Sequence, residues 1–305
     1  MGAAPPLSYR NIANPRIGSW SSFSGIDPYN STNSLQDSRK NSIRTSIGSP
    51  SERRTAWKNA IGNALKVTPE LFLIYKERAQ ATRQDGIGMD VRRTLPRLLL
   101  FGKRGEPLFE QLRDVLEVYR CYRPDVGYVQ GMSYVAAMLC LHIPDNEYEC
   151  FMCLANLLAS HHCFDFFRLG QSYNRIEFIY EITDICLEKN SKKLFKHLKK
   201  IDGLRDIHTI FFQQFQTLFV RNLPIEQATL LWDAFLRDGT VVMIRACVAV
   251  LLLLETKIMQ TEFSGELMRL LMPMYKGIDV CQKVNEVVVP KRCIIMLREM
   301  QNNLL

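Results

Sequence analysis

Apolar residues recur at steps of three and four along several stretches of the chain, which predicts amphipathic helices. Leu108, Leu112, Val115, Tyr119 and Tyr122 place one stripe on one helix face, and Pro124 ends the run. Ile207, Ile210, Phe211, Phe215, Leu218 and Phe219 repeat the spacing, with Asp206 positioned to cap the start and Asn222 and Pro224 to stop it. A third stripe runs from Ile225 through Leu230, Leu231, Ala234 and Phe235. It closes at Asp238-Gly239, where glycine can adopt the left-handed C-terminal conformation. Strand signals are scarce, since Val287-Val288-Val289 precedes a proline and is too short to found a sheet. No repeat at solenoid spacing is present. The predicted fold class is all-α.

The texture changes near residue 50. Residues 1–50 are rich in Ser, Asn, Gly and Pro, with isolated aromatics such as Trp20 and no sustained period. Such a segment buries too little apolar area to offset its ordering entropy, so it is expected to be a disordered tail ahead of one helical domain over 51–305. Arg39-Lys40-Asn41-Ser42 and Ser49-Pro50 have the look of kinase sites. With 47% hydrophobic and 23% charged residues among 305, the rest of the chain can bury a sizeable core.

No window reaches the roughly 18 consecutive apolar residues a membrane-crossing helix needs. The most apolar stretch, Val241 to Leu254, is interrupted by Arg245 and closed by Glu255. The start of the chain lacks a secretory pattern, and Pro6 stands where a myristoylation site following Met1-Gly2 wants Ser or Thr. A cytoplasmic protein is expected, and its nine cysteines are then reduced thiols, most of them in apolar runs. The net charge of +8 raises nucleic acid as a partner, but basic and acidic residues are interleaved, which argues against it. The densest basic cluster spans Lys192-Lys193 to Lys199-Lys200; a solvated helix face accounts for it, and attraction to an anionic membrane surface is equally compatible.

Two short clusters carry candidate chemistry. In Ile87-Gly88-Met89-Asp90-Val91-Arg92-Arg93-Thr94, the i, i+3 spacing of Asp90 and Arg93 puts carboxylate and guanidinium on one helical face. The acid can then hold the arginine's fork in one orientation. An ordinary surface ion pair, worth roughly 0 to 1 kcal/mol, has the same spacing. Arg92, one helical step away, is expected to face elsewhere. In Gly127-Tyr128-Val129-Gln130-Gly131, two glycines let the backbone turn tightly and present a neutral amide outward. Glutamine donates and accepts at once, as positioning a nucleophilic water requires; a helix-connecting turn with an incidental Gln reads the same.

Taken together, Ile87-x-x-Asp90-x-x-Arg93-Thr94 followed by Tyr128-x-Gln130-Gly131 resembles the paired signature of the TBC domain, the GTPase-activating proteins of Rab GTPases. Leu231-Trp232-Asp233-Ala234-Phe235 resembles that family's later Trp-Asp element, and Arg53-x-x-x-Trp57 its opening one. Tyr122-Arg123-Pro124-Asp125-Val126-Gly127 and the stretch from Ile61-Gly62-Asn63 to Thr68-Pro69-Glu70-Leu71 look closest to the subgroup with long disordered N-terminal regions, found on recycling and autophagy membranes. The resemblance implies that Arg93 enters a Rab protein's phosphate site as an arginine finger and Gln130 orients the attacking water as a glutamine finger. Asp90 would orient Arg93, while Tyr128 and Gly131 would shape the loop that presents Gln130. GTP and Mg2+ belong to the partner, so the chain would have no cofactor and no complete active site of its own. The family also contains non-catalytic Rab-binding adaptors, a second reading. Trp57, Trp232 and Asp233 are expected to be scaffold residues, and vesicle trafficking, with peripheral attachment to endosomal or other membranes, is the implied setting.

Other signals are weaker. Cys150-x-x-Cys153 with His161, His162 and Cys163 offers zinc-ligand types, but Phe151, Met152, Leu154, Leu157 and Leu158 surround them as in a helix core. Gly86-Ile87-Gly88 lacks the following Gly-Lys-Ser/Thr of a phosphate cradle. No local signature singles out a thiol nucleophile. The expected metal content is none.

Overall fold

The computed structural model describes residues 49–273 and 275–302. Over these it contains sixteen α-helices and no strand, in agreement with the all-α expectation. In chain order they are α1 (Pro50–Ile61), α2 (Pro69–Ala81), α3 (Asp85–Arg92), α4 (Phe109–Tyr122), α5 (Met132–His142), α6 (Glu147–Leu158), α7 (His161–Phe167) and α8 (Leu169–Asn190). There follow α9 (Lys192–Lys200), α10 (Gly203–Gln216), α11 (Ile225–Asp238), α12 (Thr240–Leu253), α13 (Glu255–Ile258), α14 (Gly265–Leu271), α15 (Val280–Glu286) and α16 (Lys291–Asn302). The tail expected over 1–50 lies, apart from its last two residues, outside the described residues, as does Ser42.

Ser49 has a structural task. Its hydroxyl accepts from the Glu52 amide at 3.3 Å while the Glu52 carboxylate accepts from the Ser49 amide at 2.5 Å. This capping box, with Pro50 as the first helical residue, opens α1 by satisfying donors that have no intrahelical partner. Two packing centres lie beneath the surface. The stripe of α4 buries Leu112, Val115 and Tyr119 against α2, α5 and α6. The stretch that looked most apolar in sequence is α12, enclosed by α8, α11 and α15, which explains why it is apolar on every side. Among the described residues no helix is long and apolar enough to cross a membrane.

The helix α1 clips the two centres together. Glu149 of α6 accepts from Arg54 at 2.6 Å and from Lys58 at 2.5 Å. On α11, Asp233 accepts from Arg53 Nε at 3.1 Å and from the Trp57 indole at 2.7 Å. Trp57 stacks obliquely on Trp232, with centroids 5.2 Å apart, and on His142 at 4.4 Å. These residues are the scaffold expected of them, joined through one buried carboxylate.

Two helix boundaries differ from the sequence expectation. The α10 helix starts at Gly203, so Asp206 sits inside its first turn rather than at its cap, where its charge still complements the helix N-terminus. It also ends at Gln216, because Leu218 and Phe219 take left-handed conformations with φ of 48° and 62°. That turn is held by the Trp232 indole donating to the Leu218 carbonyl at 3.2 Å and by the Phe219 amide donating to the Gln214 carbonyl at 2.8 Å. Tertiary partners override the apolar period there. The stops at Tyr122 and at Asp238-Gly239 fall where Pro124 and the glycine predict.

Candidate functional site

Three pieces of backbone meet at one polar cleft of about 340 Å3: the end of α3, the loop from α4 to α5, and the end of α10. Asp90 lies in the last turn of α3 and Arg93 is the residue that caps it, so both contribute from one helical turn. The Arg93 guanidinium pairs with Asp90 Oδ1. The acid is buried, with 10% of its side chain exposed, whereas 60% of the arginine side chain is in solvent. Asp90 therefore fixes the base of the guanidinium and leaves most of its five donors free to meet a ligand. Its other oxygen, Oδ2, accepts the Tyr128 phenol at 2.7 Å. Burial first, and then that bond to Asp90, push the Tyr128 hydroxyl far above its ordinary pKa, so it stays a donor.

The loop before α5 is built by its own residues. Arg123 grips Asp125 with two bonds of 2.8 and 2.7 Å across Pro124, and the Gly127 amide donates to the Arg123 carbonyl at 2.7 Å. Gly131 then turns the chain into α5 with φ of +107°, a conformation that residues bearing a Cβ rarely adopt. A Cβ there would also meet Gln216 Oε1 at 2.8 Å. Gln130 projects exposed from this corner and lines the same cleft as Arg93.

A second clasp holds the two segments in register. Thr94, fully buried, donates to the Asp90 carbonyl at 2.7 Å and lies 2.8 Å from Ser133 Oγ, whose hydroxyl can donate back to it. Tyr128–Asp90 and Thr94–Ser133 thus tie the arginine's turn to the glutamine's loop from both sides.

Of the five residues singled out in the sequence, Asp90, Arg93, Gln130 and Gly131 line this cleft, and Tyr128 joins it through its bond to Asp90. Arg92 is exposed but does not line the cleft. Sequence reasoning missed the opposite wall, which is Gln213, Gln216, Thr217 and Arg221 from the end of α10 and the turn after it. Arg221 is an exposed second cation whose Nη1 donates to Gln213 Oε1 at 2.6 Å. The available signal was three glutamines at 213, 214 and 216 inside an apolar stripe.

Of the cysteine and histidine group set aside in the sequence, Cys150, Cys153, His162 and Cys163 occupy the core. Cys150 Sγ donates to the Ile143 carbonyl at 3.2 Å, and Cys153 and Cys163 are buried. His162 faces the Phe215 carbonyl at 3.1 Å among aromatic rings. The side chain of His161 is outside the described set. Among the described residues no three metal-ligating side chains converge.

The family described as Rab-GTPase-TBC domain matches residues 50–259, a span that takes in every residue of the cleft. The chain belongs to this family. Its TBC domain is 36% identical over 237 residues to TBC1 domain family member 12 of Mus musculus, a match covering 70% of this chain and 33% of that protein. It is 34% identical over 239 residues to TBC1 domain family member 14 of Homo sapiens, covering 70% of this chain and 34% of that one. The chain thus spans about a third of the length of the curated relatives it matches. Among solved structures, the Chlamydomonas flagellar RabGAP TBC domain superposes with a TM-score of 0.67 at 20% identity, covering 87% of this chain and 88% of the other. That likeness concerns the fold.

Proposed function

We propose that this TBC domain accelerates GTP hydrolysis by a Rab-family GTPase, lending Arg93 and Gln130 to a site whose GTP and Mg2+ the partner holds. The observation that carries this proposal is the convergence of the two side chains, 37 residues apart in sequence, on one exposed cleft, with their segments tied to each other by side-chain hydrogen bonds of neighbouring residues. A guanidinium entering from the Asp90 side would stabilise the charge that develops on the departing γ-phosphoryl group. The Gln130 amide would accept from the attacking water and donate toward the phosphoryl oxygens. Neither group needs to form a covalent bond, since phosphoryl transfer is helped chiefly by positioning and charge. A trans arginine contributes roughly 10³ to 10⁵ in rate, about 4 to 7 kcal/mol. Asp90 and Tyr128 act by positioning the arginine, and Gly131 by letting the glutamine's loop turn. The cellular setting proposed is vesicle trafficking, on recycling or autophagy membranes.

The test is single-turnover GTP hydrolysis by a panel of Rab proteins with the wild type, Arg93→Ala and Gln130→Ala. At least one Rab should be accelerated, and each substitution should remove most of that gain while the melting temperature stays near wild type. A Rab that binds with no acceleration by the wild type would assign the chain to the non-catalytic adaptors instead. Acceleration by both variants equal to that of the wild type would refute the roles of the two residues.

A further inference from the structure

The nine residues of α9 read Lys-Lys-Leu-Phe-Lys-His-Leu-Lys-Lys. At about 100° per residue the five lysines fall within an arc of about 120°, with the three large apolar residues opposite. The structure follows that division. Leu194, Phe195 and Leu198 are buried, and Lys192, Lys193, Lys196, Lys199 and Lys200 are all exposed. Elsewhere on the molecule basic side chains such as Arg54, Lys58, Lys76 and Arg120 are paired with carboxylates. Among the described residues none of the five α9 lysines has a carboxylate partner; Lys199 lies 5.2 Å from the Phe195 ring centroid.

A solvated lysine face alone would say little, but this one adjoins exposed apolar groups. His197 of α9 lies 3.5 Å from the Thr261 hydroxyl, and a Cβ on Gly203, three residues past α9, would lie 2.7 Å from Leu267 of α14. The segment so attached exposes Phe263 by 60%, Met268 by 38% and Met272 by 41%. It also exposes Arg269 and Lys276. Of its two carboxylates, Glu266 turns back onto the Glu262 amide at 2.9 Å and Glu262 is exposed.

From this juxtaposition we infer that α9, with the adjoining segment around Phe263, is a docking face for an anionic bilayer surface. Lysine ammoniums are point charges on flexible stems, suited to a laterally fluid field of headgroups, whereas fixed carboxylates on a protein favour the planar fork of arginine. An exposed phenyl ring and two thioethers beside them can bury at headgroup depth, which an acidic polypeptide does not offer. The placement is compatible with the cleft at work. The α10 helix begins beside α9 at Gly203 and carries Gln213 and Gln216 to the cleft. At 1.5 Å per residue that sets α9 about 15 to 20 Å from the cleft wall. Met272, at the far end of the apolar segment, lies nearer that wall, its carbonyl accepting from Asn222 Nδ2 at 3.1 Å. A partner held on the same membrane can thus be engaged while α9 is docked.

The experiment is co-sedimentation of the full chain with vesicles of phosphatidylcholine, alone or with about a third phosphatidylserine. The wild type should pellet with the anionic vesicles only, and raising the salt severalfold should release it. Each lysine replaced should weaken partitioning about fivefold, so Lys192→Gln, Lys196→Gln and Lys199→Gln together should cost about a hundredfold. Phe263→Ser should weaken it further at constant charge. Acceleration of a soluble Rab and the melting temperature should be unchanged in these variants, so loss of vesicle binding is separable from failure of the catalytic proposal. Equal pelleting of the triple variant, no pelleting of the wild type, or retention on polyglutamate without vesicle binding would each overturn the inference.

Discussion

Replacing Gly131 with alanine perturbs the cleft at its tightest point. The backbone there has φ of +107°, and for a residue with a Cβ such a conformation costs about 1 to 3 kcal/mol. The added carbon would lie 2.8 Å from Gln216 Oε1 and 3.1 Å from its Cδ. Gln216 cannot simply swing away, because it is buried and its Nε2 donates to the Phe166 carbonyl at 3.2 Å. Breaking that bond leaves a buried polar group unpaired, adding about 1 to 3 kcal/mol. The domain should therefore lose about 2 to 6 kcal/mol in urea unfolding, the sum of the two costs. Gln130 is the adjacent residue, and a shift of about 1 Å in a positioned group costs about a hundredfold in rate. The assay is single-turnover GTP hydrolysis by a Rab that the wild type accelerates, run beside the unfolding curve. The double variant Gly131→Ala with Gln216→Ala removes the clash but keeps the backbone strain, so it should recover part of the rate and not all of it. If Gly131→Ala unfolds with the wild-type midpoint and accelerates as well as the wild type, the reasoning is refuted.

Two further outcomes concern the scaffold. Asp233→Ala strands both the Arg53 guanidinium and the Trp57 indole and should cost about 3 to 5 kcal/mol in urea unfolding; Asp233→Asn, which keeps an acceptor for the indole, should cost less. Burial lowers the His162 pKa to about 4 in the folded domain, and the unfolded value is near 6.5. Between those limits the unfolded chain binds more protons, so stability should be complete above pH 6.5 and fall as the pH drops toward 4, by on the order of 3 kcal/mol for this group. His142, also lowered to about 4 by burial and by the Arg53 charge, adds to the same slope. Melting temperatures across that window should fall less steeply in His162→Phe than in the wild type, and an unchanged slope would contradict the assignment.

The helices were legible in sequence wherever local chemistry set their ends. The three-and-four spacing with Pro124 marks α4, and Gly239 marks the close of α11, because a proline's missing amide and a glycine's positive φ act on their immediate neighbours. The motif residues Asp90 and Arg93 were legible as a pair for the same reason, since three residues on one helix put them side by side. What no local pattern contains is the meeting of distant segments. That Tyr128 would bond Asp90, and Thr94 lie against Ser133, depends on how α3 and α5 pack around α4. The wall made by Gln216 and Arg221 exists only because α10 stops at Gln216, and it stops there because Trp232 and Gln214 bond the left-handed turn at Leu218 and Phe219. Periodicity is a property of neighbours along the chain, so it reports which face of a helix is buried. Which faces meet, and what stands across a cleft from an arginine, is decided by contacts between residues far apart in sequence.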